Sequence, residues 1–173
     1  MRIQRFTEHT AMPWANGRGT SYEVARSSEA DWVWRVAIAP VIEPGPFSIL
    51  PGVDRWLAVT DDASLELVVD GSARRLDRGD VVAFAGESIV TAQLPVGPTR
   101  DCGLMVRRGM ASGSLSVSGS GRCRGGIFVA IGDSVIGLST ESIRLGDGDA
   151  LILDESIDVV IESGLVCVVE VGP

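Results

Sequence analysis

The feature that most constrains this chain is a two-residue rhythm. Nearly every apolar stretch alternates with period two and is cut by Gly, Pro, Asp or Ser within about eight to twelve residues, the pattern of short strands in a sandwich or barrel. Helical spacing is almost absent, so the expected class is all-β. The run Trp32–Ala39 is the clearest case: Trp32, Trp34, Val36 and Ile38 fall on one face, and Val33, Arg35, Ala37 and Ala39 on the other. Both faces are largely apolar. Further strand candidates are Arg55–Thr60, Leu65–Val69, Asp80–Phe84, Ile89–Leu94, Leu104–Arg107, Leu115–Ser118, Ile127–Ile131, Val135–Leu138, Ala150–Leu153, Val159–Ile161 and Leu165–Val171. The 21 glycines and 8 prolines supply the turns between them.

Two segments repeat. Arg75–Phe84 (RLDRGDVVAF) aligns with Arg144–Leu153 (RLGDGDALIL) at a constant offset of 69 residues, and both read as strand end, Gly-Asp turn, apolar strand. A one-residue slip then matches Glu87-Ser88-Ile89 to Glu155-Ser156-Ile157. The alignment predicts two similar β-units, residues 1–109 and 110–173, although any β-protein reuses Gly-Asp turns. The Ser/Gly stretch from Ser112 to Gly121 reads as a flexible crossing or a hairpin tip.

Composition removes several functions. The 15 basic residues are all arginine, against 23 acids, for a net charge of −8. A nucleic-acid or anionic-membrane binder needs a basic face, and none is encoded. Absence of lysine removes Schiff-base chemistry and a phosphate-binding Walker lysine. Cys102, Cys123 and Cys167 form no C-x-x-C pair, so free thiols in a reducing compartment are expected rather than a disulfide framework or zinc knuckle. Neither a signal-like apolar run at the start nor a stretch of about 20 apolar residues is present, and a soluble cytoplasmic protein is expected.

Several residues stand out for chemistry. Asn16-Gly17-Arg18-Gly19 is either a hairpin turn or a loop whose free N–H groups form an anion-binding concavity. Thr20-Ser21-Tyr22-Glu23 fits a capping box, but the alternation of Tyr22 and Val24 favours a strand with Glu23 on the opposite face. Arg35, on a strand otherwise apolar on both sides, needs a ligand or an internal acid such as Asp54 or Asp101. Two rigid turns, Gly45-Pro46-Phe47-Ser48 and Pro51–Arg55, would fix Ser48, Asp54 and Arg55 at one barrel end, with Asp54 and Arg55 pointing apart. Of Arg107 and Arg108, only one can face inward. Trp14, Trp32, Trp34 and Trp56 either wall a pocket or fill the core. His9, the only histidine, is read as a surface residue near the terminus, the alternative being a general base. Asp61 and Asp62 read as exposed turn acids rather than a carboxylate metal site. Without a nearby histidine, thiol catalysis is not expected.

The repeated leucine, Gly-Asp turn and apolar strand resemble the barrel of the cupins, here duplicated. Five segments in order resemble the HutD/Ves family: Trp14–Ala25 (WANGRGTSYEVA), Trp34–Ala39 (WRVAIA), Gly45–Arg55 (GPFSILPGVDR), Phe84–Glu87 (FAGE) and Gly97–Gly109 (GPTRDCGLMVRRG). The resemblance implies a metal-free bicupin fold and an accessory or regulatory role in histidine utilisation, with a bound acid such as formyl- or formimino-glutamate. It places candidate ligand contacts at Asn16, Arg18, Thr20, Glu23, Arg35, Phe47, Ser48, Asp54, Arg55, Asp101 and Arg107, with no catalytic residue, metal or other cofactor. The expected partner is a small anionic metabolite, with no nucleic acid or membrane and with a homodimer allowed. Two positions depart from the family pattern: Ala15-Asn16-Gly17-Arg18-Gly19 stands where Lys-Asn-Gly-Gly-Gly is usual, and Gly103 where an Asn is usual. A metal-independent isomerase or lyase, and an interaction module with a vestigial pocket, are the competing readings.

The usual cupin metal site uses three His and one Glu, and one histidine cannot build it. Elemental analysis of the purified protein should therefore find no stoichiometric transition metal, and chelator should leave the melting temperature unchanged. About one zinc, iron or manganese per chain would contradict this.

Overall fold

The computed structural model describes residues 1–14, 17, 19–27 and 31–173. Among them the only helical element is a single 3-10 turn, Phe6–Glu8, and no helix is long and apolar enough to cross a membrane. A six-stranded sheet runs in the order β2 (Thr10–Pro13), β3 (Thr20–Arg26), β4 (Trp34–Val41), β11 (Thr99–Arg107), β6 (Val53–Val59), β9 (Val81–Ala85). A four-stranded sheet, β5 (Gly45–Pro46), β10 (Val90–Gln93), β7 (Leu65–Val69), β8 (Ser72–Leu76), faces it. The third sheet joins β1 (Arg2–Gln4), β15 (Ala150–Gly172), β13 (Gly121–Gly137) and β14 (Ser142–Leu145), with β12 (Ser112–Ser118) also on β15. Ile127 of β13 lies opposite both Ile152 and Val169 of β15, so this sheet curls back on itself into a second barrel.

Strand alternation sorts the side chains into three cores. Val36, Ile38, Ala58, Cys102, Leu104 and Val106 of the six-stranded sheet pack against Leu115, Ile127, Val129, Ile131, Cys167 and Val169 of the third. Leu57, Val59 and Val82 point the other way and meet Leu65, Leu67, Leu76, Val90 and Ala92 inside the first barrel. Phe128, Ala130, Val166 and Val168 turn into the second barrel, where Ile136, Leu145, Leu151 and Ile161 complete the filling. Two arginines of the first barrel reach the second: Arg100, paired with Asp61 at 3.0 Å, also binds Asp147 at 2.7 Å, and Arg78, paired with Asp62, donates to the Ile131 carbonyl at 3.1 Å.

The repeated segments adopt the same turn. In the first, the Asp77 N–H donates to the Asp80 carboxylate (2.9 Å), Asp80 N–H to Asp77 O, Gly79 N–H to Val59 O and Val59 N–H to Asp80 O. In the second, Gly146 N–H donates to the Asp149 carboxylate (2.9 Å), Asp149 N–H to Gly146 O, Gly148 N–H to Ala130 O and Ala130 N–H to Asp149 O. Gly79 (φ +89°) and Gly148 (φ +76°) occupy the left-handed corner of each.

The structure departs from the sequence expectations in several places. The strand expected from Trp32 begins at Trp34, so Trp32 does not share the face of Trp34 and Val36. The Ser112–Gly121 stretch is not a flexible crossing: Ser112–Ser118 is a strand whose alternate residue Leu115 is buried while its serines face outward. The two expected strands Ile127–Ile131 and Val135–Leu138 are fused in β13 through an irregularity at Gly132 (φ +76°). Three more are fused in β15, because residues between them stay paired with β13: Ile157 and Asp158 lie opposite Gly125 and Arg124, and Ser163 opposite Val135. His9 is buried, not a surface residue: its Nε2 lies 2.9 Å from the Gly148 carbonyl and its ring stacks edge-on against Phe6. Asp61 and Asp62 do lie in an exposed bend as expected, where they are held in the ion pairs named above.

A Cβ on Gly148 would meet the Phe6 ring at 2.8 Å, whereas one on Gly79 would find its nearest neighbour, Leu165, at 3.6 Å. Both positions carry the left-handed cost of roughly 1–2 kcal/mol for a non-glycine residue. Urea unfolding should therefore show Gly148→Ala more destabilised than Gly79→Ala, with equal midpoints contradicting the packing argument.

Candidate functional site

The inward row of the six-stranded sheet sets out the site. Met105 of β11 lies opposite Arg35 of β4 on one side and Arg55 of β6 on the other. Two residues along, Gly103 pairs with Ala37 and Leu57, and two further, Asp101 pairs with Ala39 and Val59. Large side chains fill the end of the barrel near Val59, but Ala37, Ala39 and Gly103 leave its middle open. The result is a cavity of about 380 Å³. Its polar groups come from Arg35, Arg55, Asp101, Ser21 and Ser48, and its apolar wall from Phe47, Phe84, Leu57 and Met105, with Met12, Trp14, Trp32, Leu50 and Trp56 also contributing.

Arg55 lies against two neighbouring aromatic rings, its guanidinium carbon 5.2 Å from the Phe47 centroid and 5.0 Å from that of Phe84. It donates one hydrogen bond, to the Ser48 carbonyl at 3.2 Å, and its remaining donors are unused by described residues. Burial lowers its pKa from the usual arginine range, and the charge of Asp101 acts in the opposite sense. Arg35 stacks 5.6 Å from the Trp32 centroid and lies 4.0 Å from Glu23, too far for a hydrogen bond. Its Nε and the Glu23 Oε2 are both buried without a partner. Burial lowers the Arg35 pKa too, partly offset by Glu23. Asp101, 6% exposed, is pushed up to about 7 by burial, against the pull of Arg55.

The rim is braced by a third arginine. Arg108 donates to Asp54 at 2.7 Å and to Glu87 at 3.0 Å, while the Gly52 N–H donates to Glu87 at 2.7 Å. These contacts, led by Arg108, hold the Glu87 carboxyl down at about 2. At Gly86 the Leu50 and Val53 carbonyls come so close that a Cβ would sit 2.2 and 2.8 Å from them, so only glycine lets this loop close over the cavity edge. Across the mouth, Trp14 Nε1 donates to Ser21 Oγ at 2.8 Å. Arg107 packs its guanidinium 5.2 Å from the Trp32 centroid and binds Asp31 at 2.6 Å.

The cavity brings together Arg35, Phe47, Ser48, Arg55 and Asp101 of the expected residues. Others fall elsewhere. Arg107 turns to Asp31 and steadies Trp32 from outside the cavity; Asp54 pairs with Arg108; Thr20 does not line the cavity. Glu23 stands behind Arg35, also paired with Arg26 at 3.2 Å, and it is this acid rather than Asp54 or Asp101 that neighbours Arg35. Asn16 and Arg18 lie outside the described residues. Sequence reasoning missed Leu57, Phe84, Gly103 and Met105 as lining residues, although the parity of β11 with Asp101 already placed Gly103 and Met105 on its inner face. A Cβ at Gly103 would meet nothing nearer than 3.6 Å, so a longer side chain at this position would project into the cavity. The donor set does not suit a cation: two guanidinium groups dominate it, His9 is bonded elsewhere, and no cluster of three His, Cys, Asp or Glu occurs among the described residues.

Comparison with known proteins agrees with this architecture. The sequence profile of the HutD family matches residues 6–167. A 21.2 kDa protein from the region 3' of hutC in Pseudomonas putida, itself uncharacterised, is 36% identical over 109 residues, 61% of this chain and 57% of that protein. This chain thus aligns with little more than half of that relative's length. Protein Ves of Cronobacter sakazakii is 35% identical over 125 residues, covering 68% of this chain and 69% of the relative. The structure of HutD from Pseudomonas fluorescens SBW25, obtained in a formate condition, superposes with a TM-score of 0.85 at 28% identity over 99% of this chain and 97% of that one. A cupin-2 barrel protein from Leptotrichia buccalis, 8% identical, shares the fold with a TM-score of 0.59 over 99% of this chain and 95% of its own. With its duplicated cupin barrel and a family match over nearly its whole length, the chain belongs to the HutD family, together with the Ves proteins.

Proposed function

We propose that this protein is a binding or regulatory accessory protein whose first barrel holds a small carboxylate, an amino-acid derivative such as formyl- or formimino-glutamate, without a metal. The observation that carries this reading is the pair of half-buried guanidinium groups, Arg35 and Arg55, with unused hydrogen-bond donors in one cavity. An arginine partly withdrawn from water and lacking a full set of partners is matched by a carboxylate, which accepts two parallel N–H bonds. The volume of about 380 Å³ suits a molecule of that size. The hutC-region relative and the HutD name of the superposed structure support a link to histidine utilisation.

A second reading draws on Asp101, a buried carboxyl titrating near neutrality beside an arginine, which is the profile of a general acid or base. It would make the protein a metal-independent isomerase or lyase, with Asp101 in the role that His9, outside the cavity, cannot fill.

Calorimetric titration with formyl- and formimino-glutamate tests both. Arg55→Ala should weaken binding by roughly 2–5 kcal/mol, the cost of leaving one partner of a desolvated charge pair behind, with Arg35→Ala second in effect. His9→Ala should leave affinity within about twofold. Unaltered affinity in both arginine variants with folding intact would move the site elsewhere. No binding by wild type would favour an interaction module, and enzyme-dependent product lost in Asp101→Asn would favour the catalytic reading.

A further inference from the structure

The cavity contains one carboxyl group, and the fold gives it no hydrogen-bond partner among the described residues. Asp101 faces inward from β11, is 6% exposed, and makes no hydrogen bond or ion pair with a described residue. Its ladder neighbours Ala39 and Val59 offer no polar side chain. The charged groups around it are few. Arg55 approaches from β6, and Arg35 from β4 with Glu23 of β3 behind it. Phe84 of β9 is apolar, and the segment between β5 and β6 contributes Phe47 and Ser48. On its own strand, Cys102 turns to the opposite face, and Arg100 is tied to Asp61 and Asp147.

We propose that the site takes up a small carboxylate together with one proton from solvent, which Asp101 receives as the ligand binds. This rests on the reading of the cavity as a carboxylate site. With Asp101 ionised, the charge of Arg55 is already answered, and an incoming carboxylate would meet a second one in the same secluded space. Two carboxylates in one low-dielectric site do not both stay ionised. With Asp101 neutral, Arg55 is released to the ligand and the carboxyl O–H becomes a donor to a ligand oxygen. The balance is one H⁺ added to one carboxylate, with no other bond made or broken. The ligand carboxylate ionises near pH 4, so it stays charged throughout the neutral range and Asp101 is the group that titrates.

Burial already holds the Asp101 carboxyl at about 7, so the proton is available at neutral pH, and the affinity should fall as pH rises through that value. Linkage to one proton makes the dissociation constant about thirtyfold larger at pH 8.5 than at pH 6. The experiment is calorimetry of N-formylglutamate with the full chain at pH 8 in phosphate and in Tris, whose ionisation enthalpies differ, followed by affinities from pH 6 to 8.5. The expected result is uptake of close to one proton per ligand at pH 8, preserved in His9→Ala, and lost in Asp101→Asn together with the pH dependence. Binding with no proton uptake and a flat pH profile would overturn the inference while leaving the carboxylate site standing. No binding at any pH would overturn that site itself. Should Asp101→Asn fail to fold, the wild-type proton count decides alone.

Discussion

The six-stranded sheet packs on both faces, and everything else in the fold answers that condition. Val36, Ile38, Cys102 and Leu104 on one side are almost wholly buried, and what buries them is the third sheet. Burying a side chain of this size is worth about 1.5–3 kcal/mol, so exposing even four of them would consume most of the 5–15 kcal/mol by which a domain is stable. The two barrels therefore share one cooperative core along this sheet. Arg100 bridges the same boundary by an ion pair with Asp147 and Arg78 by a hydrogen bond to the Ile131 carbonyl, but partly exposed polar contacts of this kind contribute little beside the apolar contact.

The other face of the same sheet looks into the first barrel, and there the two halves of the duplication diverge. Both retain the Gly-Asp turn with its four hydrogen bonds, but the second barrel is closed by Phe128, Ile136, Leu145, Leu151 and Ile161. In the first, small residues at 37, 39 and 103 leave a void that a purely apolar lining would keep dry and inert. Arg35 and Arg55 change its character. Both are partly stripped of water, Arg55 stabilised by two aromatic faces and Arg35 by one, and neither is matched by a hydrogen-bonded carboxylate. Desolvating a guanidinium without answering it is costly, and a site that keeps two in this condition is organised for something that arrives from outside.

Much of this was legible in the sequence, and the reasons differ by element. Strand parity placed Arg35, Ala37 and Ala39 on one face of β4, and placed Asp54 and Arg55 on opposite sides of β6, because alternation is a local property of extended backbone. The Gly-Asp repeat was legible because its turn chemistry is local as well. What lay hidden depends on pairing between distant segments. That Met105 would sit between Arg35 and Arg55, and that Glu23 rather than Asp101 would stand behind Arg35, follow from register across β3, β4, β11 and β6. An irregularity between Glu23 and Ala25 shifts that register, and no spacing rule announces it. His9 was misread for a related reason: its burial comes from the turn at Gly148, 139 residues away.

A net charge of −8 repels anions at long range, so an anionic ligand gains nothing from steering and everything from contact. Contact is strong here because both arginines are partly withdrawn from solvent, and a guanidinium–carboxylate bond strengthens as the surroundings become less polarisable. The same burial acts on Asp101, where withdrawal from solvent raises the cost of its charge and Arg55 offsets only part of it. Grip and proton affinity are thus two consequences of a single property. A change that let water into the cavity would weaken the arginine contacts and return Asp101 toward an ordinary carboxylate together, and neither can be tuned through solvent access without moving the other.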